Sequence, residues 1–361
     1  MKLLYVTSIN YPSRHANRIQ TLAMAEEFGE KLGDQFFLGG HDIKREFSRG
    51  KVVNLKGSTK SLFLAFRYLL FMRNTGITHV FCREDRLLFF IILYNKIFFR
   101  LSLKFFYEIH YLPEKHDYRF AKALAWADGL ISITNATRNM LIERGMVGDK
   151  IIVAPDGVNL ESFENLRPRE QVLPEYSLPT DKKIVMYAGL FDDWKGYRTL
   201  LEASRHFDTT HVVLVMVGGK PEQVTALQSE YPQVHFTGYL SADRLPELLK
   251  ASDILVIPNS ARFAISKYYT SPLKLFSYMA AGKPIVASDL PSLREILNEK
   301  NAVLVLPDDA GALFQGISTV LANEVWGSQL GARAYQDVQN YTWQKRAGAI
   351  LTFIKKRTNI A

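Results

Sequence analysis

Short apolar runs alternate with longer amphipathic stretches along most of the 361 residues, and this alternation constrains the fold more than any other feature. An apolar run of four to eight residues bounded by turn signals indicates a buried strand, and the amphipathic stretches have helical periodicity. Strands separated by helices imply βαβ units and a parallel sheet with helices on both faces. Ligands of such sheets bind at the carboxyl ends of the strands. The sequence therefore predicts an α/β fold.

The alternation lapses between Pro155 and Lys182, a stretch rich in proline and charge, and resumes at Lys183. A chain of this length has about two domains. We therefore expect one domain over 1–160 and a second over 161–340. The segment 341–361, with an amphipathic pattern and a basic end, predicts a terminal helix.

Composition excludes several classes of protein. Hydrophobic content of 47% indicates a globular chain, and the single cysteine, Cys82, excludes a disulfide framework and a cysteine-rich zinc site. The start, MKLLYVTSINYP, reads as a first buried strand because its apolar run is too short for a secretory signal. The net charge of +9 raises the possibility of nucleic acid, but no zinc-finger, RNP-like or recognition-helix pattern is present.

The stretch Tyr269–Ser288 predicts a helix between a polar loop and a buried strand. Thr270 and Ser271 precede Pro272, which suggests a hydroxyl N-cap and proline at the first helical position, and Gly282 is a natural C-cap. A helix N-terminus favours anions, and Lys274 in its first turn is unfavourable unless an anion is bound there. The alternative is an ordinary capped helix with a solvated lysine.

Two further turns of the second domain are similar in kind. Lys195 stands before Gly196 at the start of a helix, after the strand that ends at Gly189, and Gly218 lies in a third glycine-rich turn. Each turn alone is weak evidence, because most α/β domains contain such turns. Two lysines at helix starts, Lys195 and Lys274, point to a diphosphate site.

Two other groups carry open alternatives. His110 follows a predicted strand at its carboxyl end and is either a functional residue or a structural loop histidine. Asp192 and Asp193 resemble a metal-binding pair, but adjacent aspartates on a turn are more often solvated, and no third ligand is evident. We expect no metal site.

The most apolar segment of the chain is Arg86–Phe106. Its longest apolar run is far too short to span a bilayer. Lys96, Arg100 and Lys104 recur every four residues, which on a helix would place them near one face. The segment is therefore either a basic, aromatic surface that lies on an anionic membrane or a core helix with outward-reaching cations.

Motifs along nearly the whole chain resemble those of the retaining, nucleotide-sugar-dependent glycosyltransferases of the GT-B fold, in particular bacterial polysaccharide and lipopolysaccharide enzymes of family 4 type. The resemblance lies in five segments: MKLLYVTSINYPSRHANRIQTLAMAEEF, FYEIH, IIVAPDGVNLESF, YAGLFDDWKG and SPLKLFSYMAAGKPIVASDLPSLREIL. It implies two Rossmann-like parallel-sheet domains facing a central cleft. It also implies that the terminal helix around Trp343 crosses back to the first domain.

The resemblance further implies roles for individual residues. His110, Lys195 and Lys274 would act at the reacting centre, with His110 near the transferred sugar and both lysines on the diphosphate. Arg14, His15 and Asn17 would close the site from an acceptor-side loop. The donor would be bound by Gly189, Leu190, Gly218, Gly238, Tyr239, Tyr269, Thr270, Ser271, Pro272, Leu273 and Ser277.

This sequence departs from the family pattern at several of these positions. Tyr269 and Ser277 stand where two glutamates are usual, the second of which binds the ribose hydroxyls. Leu190 replaces the usual arginine of the diphosphate loop, and His15-Ala16 replaces a glycine pair. A lost hydrogen bond between a carboxylate and the ribose would cost about 1.5–3 kcal/mol.

We therefore expect a metal-independent, retaining glycosyltransferase that uses a nucleotide-diphosphate sugar as donor substrate and needs no cofactor. Its acceptor would be lipid-linked or a polysaccharide. The expected location is cytoplasmic and peripheral on the inner membrane, with Arg86–Phe106 on anionic lipid and no nucleic-acid partner. The alternative is a protein of the same fold that binds a nucleotide or a partner with weak or no transfer. A sugar-nucleotide epimerase fits the motifs less well.

Overall fold

Residues 1–11, 16–113, 115 and 117–359 are described by the structure, a computed structural model, without the side chains of Ala16 and Asn17. They fall into two units, Met1–Asp156 with Trp343–Ala361, and Gly157–Thr342. The breaks follow Asp156 and Thr342, where the sequence suggested residues 160 and 340. The acceptor-side residues Arg14 and His15, and the side chain of Asn17, lie outside the described residues.

The first unit is built on a parallel sheet. Its described strands are β1 (Leu3–Val6), β2 (Asn10–Tyr11), β3 (Phe36–Gly40), β4 (Asp42–Ile43), β5 (Lys51–Asn54), β6 (His79–Cys82), β7 (Lys104–Ile109), β8 (Gly129–Ser132) and β9 (Ile151–Val153). Seven of them form one sheet in the order β5-β3-β1-β6-β7-β8-β9, and β2 pairs with β4 separately.

The helices of the first unit cover this sheet. They are α1 (Ala16–Leu32), α2 (Ser61–Thr75), α3 (Asp85–Tyr94), α4 (Tyr118–Trp126), α5 (Asn135–Glu143) and the C-terminal helix (Trp343–Thr358). Side-chain caps start two of them: the Asp117 carboxylate accepts from the Arg119 N–H at 2.8 Å, and the Thr134 hydroxyl accepts from the Thr137 N–H at 3.0 Å. The C-terminal helix packs against α1 and β8.

The second unit repeats this plan. Its strands are β10 (Lys183–Ala188), β11 (Val212–Val217), β12 (His235–Gly238), β13 (Ile254–Ile257), β14 (Ile285–Ser288) and β15 (Val303–Val305). Its helices are α6 (Arg169–Glu175), α7 (Tyr197–Ser204), α8 (Pro221–Glu230), α9 (Leu245–Ala251), α10 (Leu273–Ala281), α11 (Pro291–Arg294), α12 (Ala310–Ala322) and α13 (Glu324–Val338).

Strand order in the second unit fixes where a ligand can bind. The parallel sheet runs β12-β11-β10-β13-β14-β15, which is the doubly wound order of a dinucleotide-binding fold. The chain moves outward from β10 in one direction and then returns to add β13 on the other side. The loops that follow β10 and β13 leave the sheet in opposite directions, which opens a crevice at the carboxyl ends of these two strands.

Both faces of this sheet are buried, as expected for parallel strands. Along β10, Val185 and Tyr187 point to one side and pack with side chains of α7 and α12. Ile184, Met186 and Ala188 point to the other side and pack with α9, α10 and α13. The continuous apolar run of β10 therefore reflects two cores, one on each side of the sheet.

Lys96, Arg100 and Lys104 do not lie together on one helical face. Helix α3 ends at Tyr94, a π-helical turn covers Asn95–Phe99, and Lys104 begins β7. Arg100 adopts a left-handed conformation with φ of 52°, which breaks the helical repeat. Lys96 lies 4.1 Å from the centre of the Trp126 ring, and Lys104 pairs with Asp128 at 3.3 Å. No helix within the described residues is both long and apolar enough to cross a bilayer.

Candidate functional site

A backbone surface without side chains lies at the carboxyl ends of β10, β11 and β12. Gly189, Gly218 and Gly238 have φ values of 153°, 112° and 70°. A Cβ on Gly218 would lie 2.1 Å from the carbonyl oxygen of Gly189, and the Gly218 N–H donates to the Gly238 carbonyl at 2.7 Å. Only glycine tolerates this approach of two loops. A bound molecule can therefore come close to the backbone at this edge.

Lys274 places its ammonium group beside these glycines. Its Nζ lies 3.8 Å from the centre of the Tyr187 ring and 3.1 Å from where a Cβ on Gly189 would be. This Nζ is buried and has no hydrogen-bond partner among the described residues. Burial holds the pKa of the amine well below its usual range, and the charge of Lys195 acts in the same direction. A bound anion would supply the missing partner.

Lys195 lies on the same edge, at the end of the short turn Asp193–Lys195. Its Nζ pairs with the Asp192 carboxylate at 2.8 Å, and its side chain is 15% exposed. The neighbouring Gly196 has φ of 65°, and a Cβ there would lie 1.8 Å from the carbonyl oxygen of Pro258. Glycine therefore lets the lysine-bearing turn pack onto the chain that follows β13.

Asn259 is a site residue that the sequence did not reveal. It follows β13, is fully buried, and neither atom of its side-chain amide has a hydrogen-bond partner among the described residues. The buried Ser266 hydroxyl is also unpartnered there. Unsatisfied buried polar groups are rare and costly, so they mark places where a further molecule completes the hydrogen bonding. In the sequence, the feature that could have indicated Asn259 is its position shortly after the apolar run of β13, at the crevice.

The start of α10 differs from the prediction. Pro272 occupies the N-cap, Leu273 is the first helical residue, and the proline ring has no group that could cap the helix. The expected hydroxyl cap with proline at the first helical position is therefore wrong. Because proline takes the position of the usual capping residue, the first turn keeps N–H groups directed at the loop before it. Gly282 ends the helix in a left-handed conformation, as predicted.

The remaining predicted donor residues have different surroundings. The Ser277 hydroxyl donates to the carbonyl of Leu273 in its own helix at 3.3 Å. The Tyr269 ring is tilted by 59° relative to that of Tyr268, with ring centres 6.3 Å apart. Leu190 and Tyr239 are 45% and 46% exposed. Thr270 and Ser271 are half-buried in the loop before α10. The structure thus brings Lys195, Lys274 and Gly189 together, whereas Ser277 engages its own helix.

In the first unit, His110 follows β7 and sits on a buried polar cluster. Its Nε2 is 2.7 Å from Oε1 of Glu108, a residue with no exposed surface, and 3.5 Å from Nε2 of Gln20. Burial lowers the pKa of His110 to about 4, and Arg83 contributes in the same direction. The imidazole is therefore neutral near pH 7. Arg346 of the C-terminal helix also reaches Glu108, at 2.8 Å, and was missed by sequence reasoning.

Asp192 and Asp193 do not form a metal cluster. No group of three or more His, Cys, Asp or Glu side chains is placed to hold a metal ion in the part of the chain that the structure describes. Asp192 instead pairs with Lys195, and Asp193 lies 3.8 Å from Arg198. The positive charge at this edge comes from lysine side chains.

Comparison with known proteins gives the class to which the second unit belongs. Residues 182–323 match the family model described as glycosyl transferases group 1. This part of the chain is therefore a glycosyltransferase group 1 domain, and it contains both lysines and the three glycines of the site.

Two curated relatives illustrate the similarity. A D-inositol 3-phosphate glycosyltransferase of Xylanimonas cellulosilytica is 26% identical over 66% of this chain and 59% of its own. A phosphatidyl-myo-inositol mannosyltransferase of Mycobacterium leprae is 24% identical over 62% of this chain and 58% of its own. The matched region thus spans little more than half the length of these relatives.

Among solved structures, HepE from Anabaena in complex with UDP matches over 99% of this chain and 100% of its own, with 15% identity and a TM-score of 0.78. At this identity the likeness shows the fold alone. Together with the two parallel sheets, it establishes the GT-B fold.

Proposed function

We propose that this protein is a retaining glycosyltransferase that moves a sugar from a nucleotide-diphosphate donor to a lipid-linked or polysaccharide acceptor at the cytoplasmic face of a membrane. The observation that carries the proposal is the buried Nζ of Lys274, which lies with Lys195 at the crevice between β10 and β13. It has no hydrogen-bond partner in the part of the chain that the structure describes. Two ammonium groups beside a glycine edge and a helix N-terminus suit a diphosphate.

The chemistry follows from where charge develops. The bond between the anomeric carbon and the diphosphate oxygen breaks, and the acceptor oxygen bonds to the same face of the sugar. The departing phosphate oxygen takes the acceptor's proton. Lys195 and Lys274 stabilise the negative charge that grows on the diphosphate, which is electrostatic catalysis by preorganised groups. Because these lysines supply positive charge, the proposal requires no metal ion.

Calorimetric titration with UDP, GDP, ADP, CMP and dTDP tests the donor site. We expect at least one nucleotide to bind, and Lys195→Ala and Lys274→Ala each to weaken its binding. Lys300→Ala changes an exposed lysine of the same unit and is the matched control. Absence of binding by every nucleotide at millimolar concentration would refute the proposal. Equal binding by wild type and Lys274→Ala would refute the placement of the diphosphate.

A second candidate, nucleotide binding without transfer, is favoured by Tyr269 and Ser277. Ser277 cannot replace a carboxylate that binds ribose, because its short side chain donates to its own helix. Assays of sugar release and transfer, with the sugar nucleotides of whichever base binds, separate the two candidates. Tight binding with no release or transfer would favour the second.

Membrane contact is supported by a surface of the first unit that we call the apolar patch. Ring centres of Phe66 and Phe99 are 5.3 Å apart, so α2 adjoins the π-helical turn. The patch consists of Leu62, Phe63, Phe66, Leu70, Ile97 and Phe98, which are 39–66% exposed. Exposed cations surround it, namely Lys60, Arg73, Arg86, Lys96 and Arg100. Aromatic side chains among cations suit the interface of an anionic bilayer.

A cavity of about 360 Å³ adjoins this patch, and its lining includes Lys60, Arg86 and Arg119. The Arg119 guanidinium lies 5.5 Å from the centre of the Phe90 ring, which forms part of the same cavity. Three cations beside the apolar side chains of Leu62 and Phe90 suit the phosphate of a lipid headgroup. This supports a lipid-linked acceptor over a soluble one.

A further inference from the structure

Beneath His110 lies a buried polar cluster whose members come from distant parts of the first unit. They are Gln20 of α1, Arg83 after β6, Glu108 of β7, Asp156 after β9 and Arg346 of the C-terminal helix. All except Arg83 are at least nine-tenths buried. Burying so many charged groups is costly, and replacing them by apolar residues would often be as stable. Stability alone therefore does not account for this arrangement.

One carboxylate oxygen organises the cluster. Oε1 of Glu108 accepts hydrogen bonds from Gln20 Nε2 at 2.8 Å, His110 Nε2 at 2.7 Å and Arg346 Nη2 at 2.8 Å. Burial alone would raise the pKa of Glu108, but Arg346, His110 and Arg83 outweigh it and hold that pKa well below its usual range. Glu108 is therefore ionised and can only accept hydrogen bonds.

The protonation of His110 follows from this. The imidazole is neutral near pH 7, so only one of its nitrogens carries a proton. Because Nε2 contacts an oxygen that can only accept, the proton must be on Nε2. Gln20 cannot invert this pattern, since its carbonyl accepts from Arg83 and its amide donates to Asp156 at 2.7 Å as well as to Glu108. Nδ1 is left as an acceptor.

Arg346 keeps Glu108 in place from the other side. Its Nε donates to the carbonyls of Ala154 and Pro155 at 3.2 and 2.9 Å, so the guanidinium is fixed to the segment that follows β9. A lysine would keep the charge but lose the planar fork that reaches both the backbone and Glu108.

We propose that Glu108 and Arg346 are positioning residues that hold His110 as its neutral Nε2–H tautomer, so that Nδ1 accepts a hydrogen bond from a substrate hydroxyl. The substrate part rests on the proposed function, whereas the tautomer does not. The C-terminal helix then supports His110 through Arg346. Arg346 is a positioning residue and not a catalytic residue.

Nuclear magnetic resonance of protein labelled with ¹⁵N and ¹³C histidine tests the tautomer without any turnover. The chain has 8 histidines, and His110→Gln identifies the resonance of His110 by its loss. We expect wild-type His110 at pH 7 to carry its proton on Nε2. Finding the proton on Nδ1, or a doubly protonated ring, would overturn the inference without any variant of Glu108 or Arg346.

Glu108→Gln is the matched variant, because it keeps the shape of the side chain and adds a donor. We expect it to reduce the population of the Nε2–H tautomer, and Glu108→Gln with Arg346→Met, which removes both charges, to do the same with less loss of folded protein. An unchanged His110 spectrum in folded Glu108→Gln would contradict the proposal.

A transfer assay then tests the substrate part. We expect Glu108→Gln to lower kcat by roughly 10- to 100-fold with little change in KM, the loss expected when one hydrogen bond to the substrate is no longer made. Arg346→Lys should retain more turnover than Arg346→Met. If wild-type His110 is the Nε2–H tautomer but Glu108→Gln has an unchanged kcat, the proposed role of His110 is refuted. Absence of all transfer by wild type would refute the proposed function and leave the tautomer result intact.

Discussion

Lys274, a buried lysine whose Nζ has no hydrogen-bond partner among the described residues, gives the candidate donor site a chemical signature. Burial and Lys195 keep the pKa of Lys274 well below its usual range in the free protein. A bound diphosphate is doubly favourable to the ammonium form, because it supplies both an opposite charge and hydrogen-bond acceptors. The pKa of Lys274 must therefore rise when the ligand binds.

We predict that nucleoside diphosphate binding takes up a proton at pH values between the free and the bound pKa of Lys274. Because the protein must first gain this proton, affinity falls as pH rises through that window. Calorimetry of the same titration in buffers with different ionisation enthalpies measures the uptake. Lys274→Met should remove it and Lys300→Ala should keep it. Equal proton uptake by wild type and Lys274→Met would contradict the assignment.

His110 and Asp156 give opposite dependences of stability on pH. The pKa of His110 falls from 6.5 to about 4 on folding, so this residue contributes stability that is lost as pH drops through that window. Burial raises the pKa of Asp156 from 3.8 to about 6, against the opposing effect of Arg346, so its contribution is lost as pH rises through that window. In wild type the two effects oppose each other.

Single variants should separate them. Asp156→Asn leaves the His110 effect, so we expect the free energy of unfolding to fall between pH 6.5 and about 4. His110→Gln leaves the Asp156 effect, so we expect the free energy of unfolding to rise as pH falls from about 6. Urea unfolding at several pH values gives both slopes. Slopes of the same sign in the two variants would be inconsistent with this account.

At the scale of elements, the loops after β10 and β11 approach each other too closely for any side chain between them. We predict that Gly218→Ala lowers the free energy of unfolding by about 1–3 kcal/mol, because the new Cβ would meet the Gly189 carbonyl and φ is positive there. Gly348→Ala, with open space around a helical glycine, should instead be neutral or stabilising by up to about 1 kcal/mol. Chemical denaturation compares the two.

If Gly218→Ala unfolds like wild type, the two loops do not have the described close approach. Alternatively, the loops of Gly218→Ala could move apart to accommodate the new Cβ. In that case nucleotide affinity should fall while the free energy of unfolding stays the same. Titration of the same variant with the nucleotide that binds wild type distinguishes these outcomes.

Strands coincide with short, mostly apolar runs of the sequence, as at Lys104–Ile109, Lys183–Ala188 and Ile254–Ile257. Such runs have one stable arrangement, buried on both faces of a parallel sheet. In Arg86–Phe106 most side chains are apolar, so periodicity could not reveal where Arg100 leaves the helical conformation. Local patterns do not contain that information.

The site divides in the same way. Gly189 directly follows β10, and Lys195 and Lys274 lie near helix starts at the same sheet edge, so their grouping follows from strand order. Asn259 and Arg346 acquire their character only when the chain packs around them, since an asparagine or arginine is solvated unless tertiary structure buries it. Arg346 and Glu108 are separated by 238 positions in the sequence, so no local pattern links them.

At the scale of the whole molecule, the apolar patch and its cations give a test of membrane association. We predict that the protein sediments with vesicles containing phosphatidylglycerol and that Phe63→Ser with Phe98→Ser weakens this binding. Exposed aromatic side chains would insert at the bilayer interface, and the double variant loses this aromatic area. Leu306→Ser with Val325→Ser removes exposed apolar side chains of the other unit and is the matched control.

Binding should also weaken as salt increases, because exposed cations attract the anionic surface through screened charges. A protein that stays in the supernatant with phosphatidylglycerol vesicles at low salt would contradict membrane contact. Loss of binding in the Leu306→Ser, Val325→Ser control alone would place the contact on the other unit.

The C-terminal helix belongs to the first unit, whereas the whole second unit lies between it and β9 along the chain. On the ribosome, the second unit therefore has all its residues available before the first unit has its last helix. Until that helix arrives, Glu108 lacks Arg346, and α1 and β8 lack the surface that covers them. The order of synthesis thus delays the cluster beneath His110 until Arg346 has emerged, after every residue of the second unit.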